Sequence, residues 1–162
     1  MSFYTDVIQS DPRFRLTTRV SNTDLLEPVT REEVNVIVAD AAAQGINLMI
    51  FETYRSAERQ QLLFAQGATQ LRQVGVHHYG LAADLVKNIN GEPSWKGDFS
   101  FLAHLVRQHG LVSGLDWGNP NIHHTFVDSG HVQRITVGRQ ASLFSGIWYP
   151  DDQYDPYKDG AI

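Results

Sequence analysis

The chain has 162 residues, 42% of them hydrophobic, which suits one domain with an ordinary core, and at this length neither a disulfide nor a structural metal is needed for stability. Against 18 Asp and Glu there are 13 Lys and Arg, a net charge of −5 with no basic cluster of the kind that tracks nucleic acid, so nucleic-acid binding is not expected. The absence of cysteine excludes thiol nucleophiles, disulfides and cysteine-based zinc sites, and leaves any functional metal to His, Asp or Glu.

In chain order, the N-terminal residues MSFYTDVIQSDPRFR place Asp6 and Asp11 where a secretory signal needs an unbroken apolar stretch, so synthesis in the cytoplasm without a signal peptide is expected. Residues 1–29 read as an irregular segment packed on the domain, punctuated by Asp11-Pro12 and Glu27-Pro28. Thr30 with Glu33 fits a capping box and predicts a helix that stops at Gly45. The most apolar region, Val34 to Phe51, is broken by Asn35, Asp40, Gln44, Gly45 and Asn47 and cannot span a bilayer. Ile46 to Thr53 predicts a buried strand, and Ser56 to Gln66 a second helix ending at Gly67. Leu81 to Asn88 alternates as a strand, with Asn90-Gly91 supplying a hairpin-type turn.

Further on, Asp98 can cap a third helix, Phe99 to Gln108, closing at Gly110. Gly114 to Gly130 is loop-like, Val132 to Val137 predicts another strand, and the acidic residues 149–162 read as a solvated tail. These signals do not alternate as βαβ units. An α+β fold is therefore expected, a small antiparallel sheet flanked by about three helices, with one domain over residues 30–148 between the N-terminal segment and the tail.

Two clusters carry chemistry. The first is His77-His78-Tyr79-Gly80-Leu81-Ala82-Ala83-Asp84. Seven residues apart on an extended strand, His77 and Asp84 would lie roughly 23 Å from each other, so sharing a metal requires the chain to bend, which Gly80 permits. From Leu81 onward, Ala82, Asp84 and Val86 share one face of the strand, and a small alanine beside the carboxylate leaves room for a metal and a substrate. The second cluster runs from Trp117 to His131. In it Asp128 precedes His131 by three residues, so that one could serve as ligand and the other as base, and His, Asp, His is an allowed catalytic zinc set.

Together these residues resemble the zinc peptidases that cut bacterial cell-wall peptides: the VanY-like D-alanyl-D-alanine carboxypeptidases and dipeptidases, and the L-alanyl-D-glutamate endopeptidases of phage endolysins. The family signature H-x-x-G-x-A-x-D falls on His77, Gly80, Ala82 and Asp84, the later W-G on Trp117-Gly118, and D-x-x-H on Asp128 and His131. The upstream Tyr54-Arg55-Ser56-Ala57-Glu58-Arg59-Gln60 is similar to the endopeptidase branch. The resemblance implies a fold like that of the hedgehog/D-Ala-D-Ala peptidases and one zinc ion held by His77, Asp84 and His131. It further implies Asp128 as general base, with Arg55 and Gln60 binding substrate. The implied reaction is hydrolysis of a peptidoglycan stem peptide by a monomer, at the L-alanyl-D-glutamate bond or, alternatively, at D-alanyl-D-alanine. Action at the wall would follow release or delivery, as for an endolysin or a secreted effector. A catalytically silent wall-binding module is the competing class.

Some departures bear on the cleft. Gly75 stands where the family often has Ser, Gly130 where it often has Pro, and a second Trp after Trp117-Gly118 is missing. His78 is expected to support the site or lie at the surface rather than bind metal, and His123 and His124 compete weakly with His131. His104 and His109 read as structural or surface residues. Among the tryptophans Trp117 is the one expected near the cleft, with Trp95 and Trp148 as core or partly buried rings.

Overall fold

The computed structural model describes residues 2–68, 74–116 and 128–160. Its centre is one antiparallel sheet built from β1 (Leu48–Glu52), β2 (Ala82–Ile89), β3 (Glu92–Ser94), β4 (Val112–Ser113) and β5 (His131–Gln133). The order is β1-β2-β5-β4, and β3 also pairs with β2, beyond the end of β5. The α-helices are α1 (Pro28–Ala43), α2 (Ala57–Ala65), α3 (Ser100–Gln108) and the short α4 (Gln140–Phe144).

Helix α1 begins at Pro28 rather than at the Thr30 box. Proline fits the first helical position because its missing amide hydrogen costs nothing there. The cap is the Glu27 carboxylate, which accepts from the Val29 amide (3.2 Å), the Thr30 amide (2.7 Å) and the Thr30 hydroxyl (2.6 Å). Glu27 can serve because it is buried and held by the buried Arg134 at 3.1 Å. One face of α1, including Val34, Ile37 and Ala41, meets Leu102, Leu105 and Val106 of α3 over Ala83, Leu85 and Val132 of the sheet. With that face covered, the opposite face of β2, which carries Asp84, is left for the site.

The hairpin at Asn90-Gly91 forms as expected, both residues having positive φ (54° and 86°), and leads into β3. Helix α2 starts within one residue of its expected position, capped by the Ser56 hydroxyl, which accepts from the Arg59 amide at 2.9 Å. The stretch after Tyr149 is tethered to the domain at several points, although Asp151 and Asp152 are exposed. The Tyr149 hydroxyl donates to the Tyr79 carbonyl (2.7 Å), the Tyr157 hydroxyl to Leu111 (2.6 Å), and Arg139 grips Asp159 at 2.8 Å.

Candidate active site

Strand register brings the first groups together. Asp84 of β2 pairs with Glu52 of β1 on one side and His131 of β5 on the other, so three strands deliver three polar side chains side by side. An irregularity between Ile50 and Glu52 sets that register at the end of β1, where a bulge commonly re-aims a side chain. His77 arrives from the 3-10 turn Val76–Tyr79, and the bend expected at Gly80 is present with φ 72°. A Cβ there would lie 2.5 Å from the Leu25 carbonyl, so the position has neither the backbone conformation nor the space for a side chain. At Gly130, where the family often has Pro, a Cβ would come within 2.7 Å of the Leu85 carbonyl, while the Gly130 carbonyl accepts from the Leu85 amide at 2.8 Å. That close approach seats His131 beside Asp84.

The two imidazoles have defined tautomers. His77 Nδ1 lies 2.7 Å from the Thr53 carbonyl, which can only accept, so Nδ1 carries the hydrogen and Nε2 faces Asp84 Oδ1 at 3.2 Å. His131 Nε2 donates to Gln133 Oε1 (2.8 Å), whose orientation is fixed by its own amide donating to the Ile135 carbonyl (2.7 Å), leaving Nδ1 facing Asp84 Oδ1 at 3.4 Å. Both separations are close to the roughly 3.3 Å edge of a tetrahedron with zinc-like bond lengths. The three candidate ligand atoms lie within 4.8 Å of one another, the one such group of His, Asp or Glu among the described residues. Three acceptors converging on one point suit a cation, and partners behind the ligating rings are the usual means of orienting metal-bound histidines.

Electrostatics fit that arrangement. Burial opposes ionisation of Asp84, but the charges and hydrogen bonds of His77 and His131 outweigh it and hold the carboxyl well below its ordinary value. For His131 burial works against the charged form, and the Asp84 carboxylate prevails, raising its pKa. Asp128 moves the other way: burial, followed by repulsion from Asp84, raises its carboxyl above the usual range. An acid near a charged site whose proton affinity is raised is suited to accept and return a proton.

Asp84 and Asp128 line a cleft of about 510 Å³ together with Glu52, Arg55, Arg59 and Trp95. Arg55 is held by Glu52 (2.9 Å), Asp84 Oδ2 (3.4 Å) and Gln60 Oε1 (3.1 Å). Gln60 is itself buried behind Arg55, so it braces the guanidinium and does not line the cleft. Two residues of this cluster had no role in the sequence reading. Glu52 takes both Arg55 and, at 2.5 Å, Arg59, and despite its burial these partners hold its carboxyl below the ordinary value. Arg59 also donates to the Thr17 carbonyl at 3.2 Å. The available signal was spacing: Glu52 three residues before Arg55 at the end of an apolar run, and Arg59 one helical turn after it.

His78 is buried and supportive as expected, with Nε2 2.9 Å from the Tyr4 hydroxyl. His104 is exposed, and His109 pairs with Asp40 at 2.6 Å. Trp95, expected as a core or partly buried ring away from the cleft, is 52% exposed and lines the cleft. Trp117, His123 and His124 lie outside the described residues.

No family model matches the chain. The peptidoglycan L-alanyl-D-glutamate endopeptidase CwlK of Bacillus subtilis (strain 168) is 26% identical over 129 residues, covering 68% of this chain and 74% of that protein. Among solved structures, the L-Ala D-Glu endopeptidase ChiX of Serratia marcescens has a TM-score of 0.51 at 23% identity, covering 73% of this chain and 90% of that one. The vancomycin-resistance D,D-pentapeptidase VanY, as an E175A mutant in complex with Zn(II), has a TM-score of 0.55 at 13% identity, covering 83% and 87%. The LD-carboxypeptidase LdcB gives 0.53 at 19% identity over 74% of this chain, which spans less than two thirds, 62%, of that structure. These likenesses bear out the α+β fold and the resemblance to VanY-like peptidases read from the motifs.

Proposed function

We propose that the protein is a zinc peptidase of the VanY-like kind that hydrolyses peptidoglycan stem peptides at the L-alanyl-D-glutamate bond. The observation that carries this reading is the convergence of His77 Nε2 and His131 Nδ1 on Asp84, with Asp128 in the same cleft. Support for the bond comes from the similarity to CwlK and ChiX, named as L-alanyl-D-glutamate endopeptidases, and from the motif around Arg55.

His77, Asp84 and His131 would hold the ion. A bound zinc supplies Lewis acidity toward a carbonyl and lowers the pKa of a water to about 7. Asp128, in the cleft beside Asp84, would accept the proton of the attacking water and deliver it to the leaving amine. Arg55, fixed by Glu52 and Gln60 at the cleft wall, would bind a substrate carboxylate through its planar fork. Phage release or delivery as an effector would take such an enzyme to the wall. No described helix is long and apolar enough to cross a membrane.

The test is Asp128→Ala, assayed on purified sacculi with the metal content measured in the same sample. Turnover should fall by about 100- to 10,000-fold, the usual worth of a general base, with one zinc retained per chain. Undiminished hydrolysis would remove Asp128 from the reaction. A second reading, hydrolysis of D-alanyl-D-alanine, is favoured by the fold shared with VanY and predicts release of terminal D-alanine instead.

A further inference from the structure

We propose that Trp95, backed by Phe51, over whose ring Arg19 lies, forms a subsite for the sugar ring to which the stem peptide is attached, and so selects the sugar-proximal bond. This inference rests on the reading of the protein as a stem-peptide hydrolase. Its starting point is an aromatic ring that folding does not bury. Trp95 is 52% exposed, yet it lines the same concave cleft as Asp84 and Asp128. A large amphipathic ring left open inside a cleft offers a ligand an apolar face with a polar handle.

The ring is fixed in place. Phe51 meets Trp95 edge to face, with centroids 4.8 Å apart and planes at 78°. The Arg19 guanidinium lies over Phe51, 4.1 Å from its centroid. A platform ordered before the ligand arrives loses little freedom on binding.

Its location along the sheet matches the substrate's own dimensions. Ser94, next to Trp95, pairs with Lys87, three residues beyond Asp84 on β2. Three strand residues span roughly 10 Å. In a stem peptide L-alanine is joined to the amino sugar through a lactyl group, so one residue plus that linker covers a similar distance. The D-alanyl-D-alanine end lies several residues farther from any sugar and could not place one here.

Charge favours a neutral occupant. Arg19 and Lys96 are exposed cations near Trp95, and the cleft it lines carries Glu52, Asp84 and Asp128 against Arg55 and Arg59, so the charges are of both signs. Charges of both signs favour no single ion over a neutral ring. A sugar instead presents C–H groups to the indole face and oxygen acceptors to Arg19.

The experiment compares kcat/KM for two probes cut by the full chain loaded with zinc: N-acetylmuramoyl-L-alanyl-D-glutamate peptide, and the same peptide acetylated in place of the sugar. The wild type should prefer the sugar-bearing probe by about tenfold, the size of one aromatic stacking contact, mainly through KM. Trp95→Ala should bring the ratio of the two close to one, and Trp95→Phe should keep part of it. Equal cleavage of both probes by the wild type, or a ratio unchanged in Trp95→Ala, would overturn the subsite while leaving the bond assignment intact. Cleavage of neither probe, with D-alanine released from a full stem peptide, would overturn the bond assignment and the subsite with it.

Discussion

Glu52 shows how one buried carboxylate can organise a cleft. It is only 2% exposed and bonds two guanidiniums, so Glu52→Gln would remove the countercharge of Arg59 and leave Arg55 with Asp84 alone. Breaking one partner of such a buried cluster costs about 3 kcal/mol, and chemical denaturation of the metal-free protein at neutral pH should show that loss. The sign of the pH dependence follows from the depressed pKa. The stabilisation by Glu52 is fully present above its ordinary value of 4.5 and disappears as pH falls through the lower folded value. The gap between wild type and Glu52→Gln should therefore narrow in acid, and a gap constant with pH would show that the carboxylate is not the source. The metal-capable trio and Asp128 were legible from the sequence because their motifs fix both residue type and spacing. Glu52, Thr53 and Gln133 were not, because the partners behind a ligand are chosen by strand register and by a backbone carbonyl, which leave no residue-type signature.

At the scale of elements, the turn at Gly80 converts a sequence separation of seven into a 3.2 Å contact between His77 and Asp84. Gly80→Ala would force a side chain into positive φ, costing about 1–3 kcal/mol, and would press its Cβ on the Leu25 carbonyl and Ile8. Both the thermal midpoint and zinc affinity should drop; intact zinc affinity would mean that the turn does not position His77. Helix α2 and strand β2 lie close to where periodicity and caps placed them, because each has a local signal. Helix α1 starts earlier than its capping box suggested, since the buried Glu27 displaces Thr30 as cap. Strand β5 takes up only the start of the strand expected over Val132 to Val137 and ends at Gln133, while β4 has two residues, too short for alternation to reveal, so its place in the sheet comes only from pairing with β5.

At the scale of the whole molecule, the described segments before α1 and after Tyr149 are fastened to the domain that carries the site. Arg134 links Glu27 at the start of α1 to the carbonyl of Asp151 at 2.5 Å, and Tyr149 ties the same C-terminal stretch to Tyr79, two residues from His77. The acidic composition of residues 149–162 suggested a solvated tail. Its tyrosines decide otherwise, each pairing an apolar ring with a hydroxyl that reaches a buried partner. Removal of residues 149–162 should lower the melting midpoint by roughly 5–10 °C, the equivalent of a few lost hydrogen bonds in a domain of this size. A midpoint unchanged by the deletion would show that the segment contributes nothing.

The central claim, a zinc-dependent cut between L-alanine and D-glutamate, is tested most directly by mass analysis of fragments released from a defined peptidoglycan stem, with and without a chelator. The account predicts fragments with a new N-terminal D-glutamate that vanish on chelation and return with zinc. Release of terminal D-alanine alone, or fragments unaffected by chelation, would contradict it.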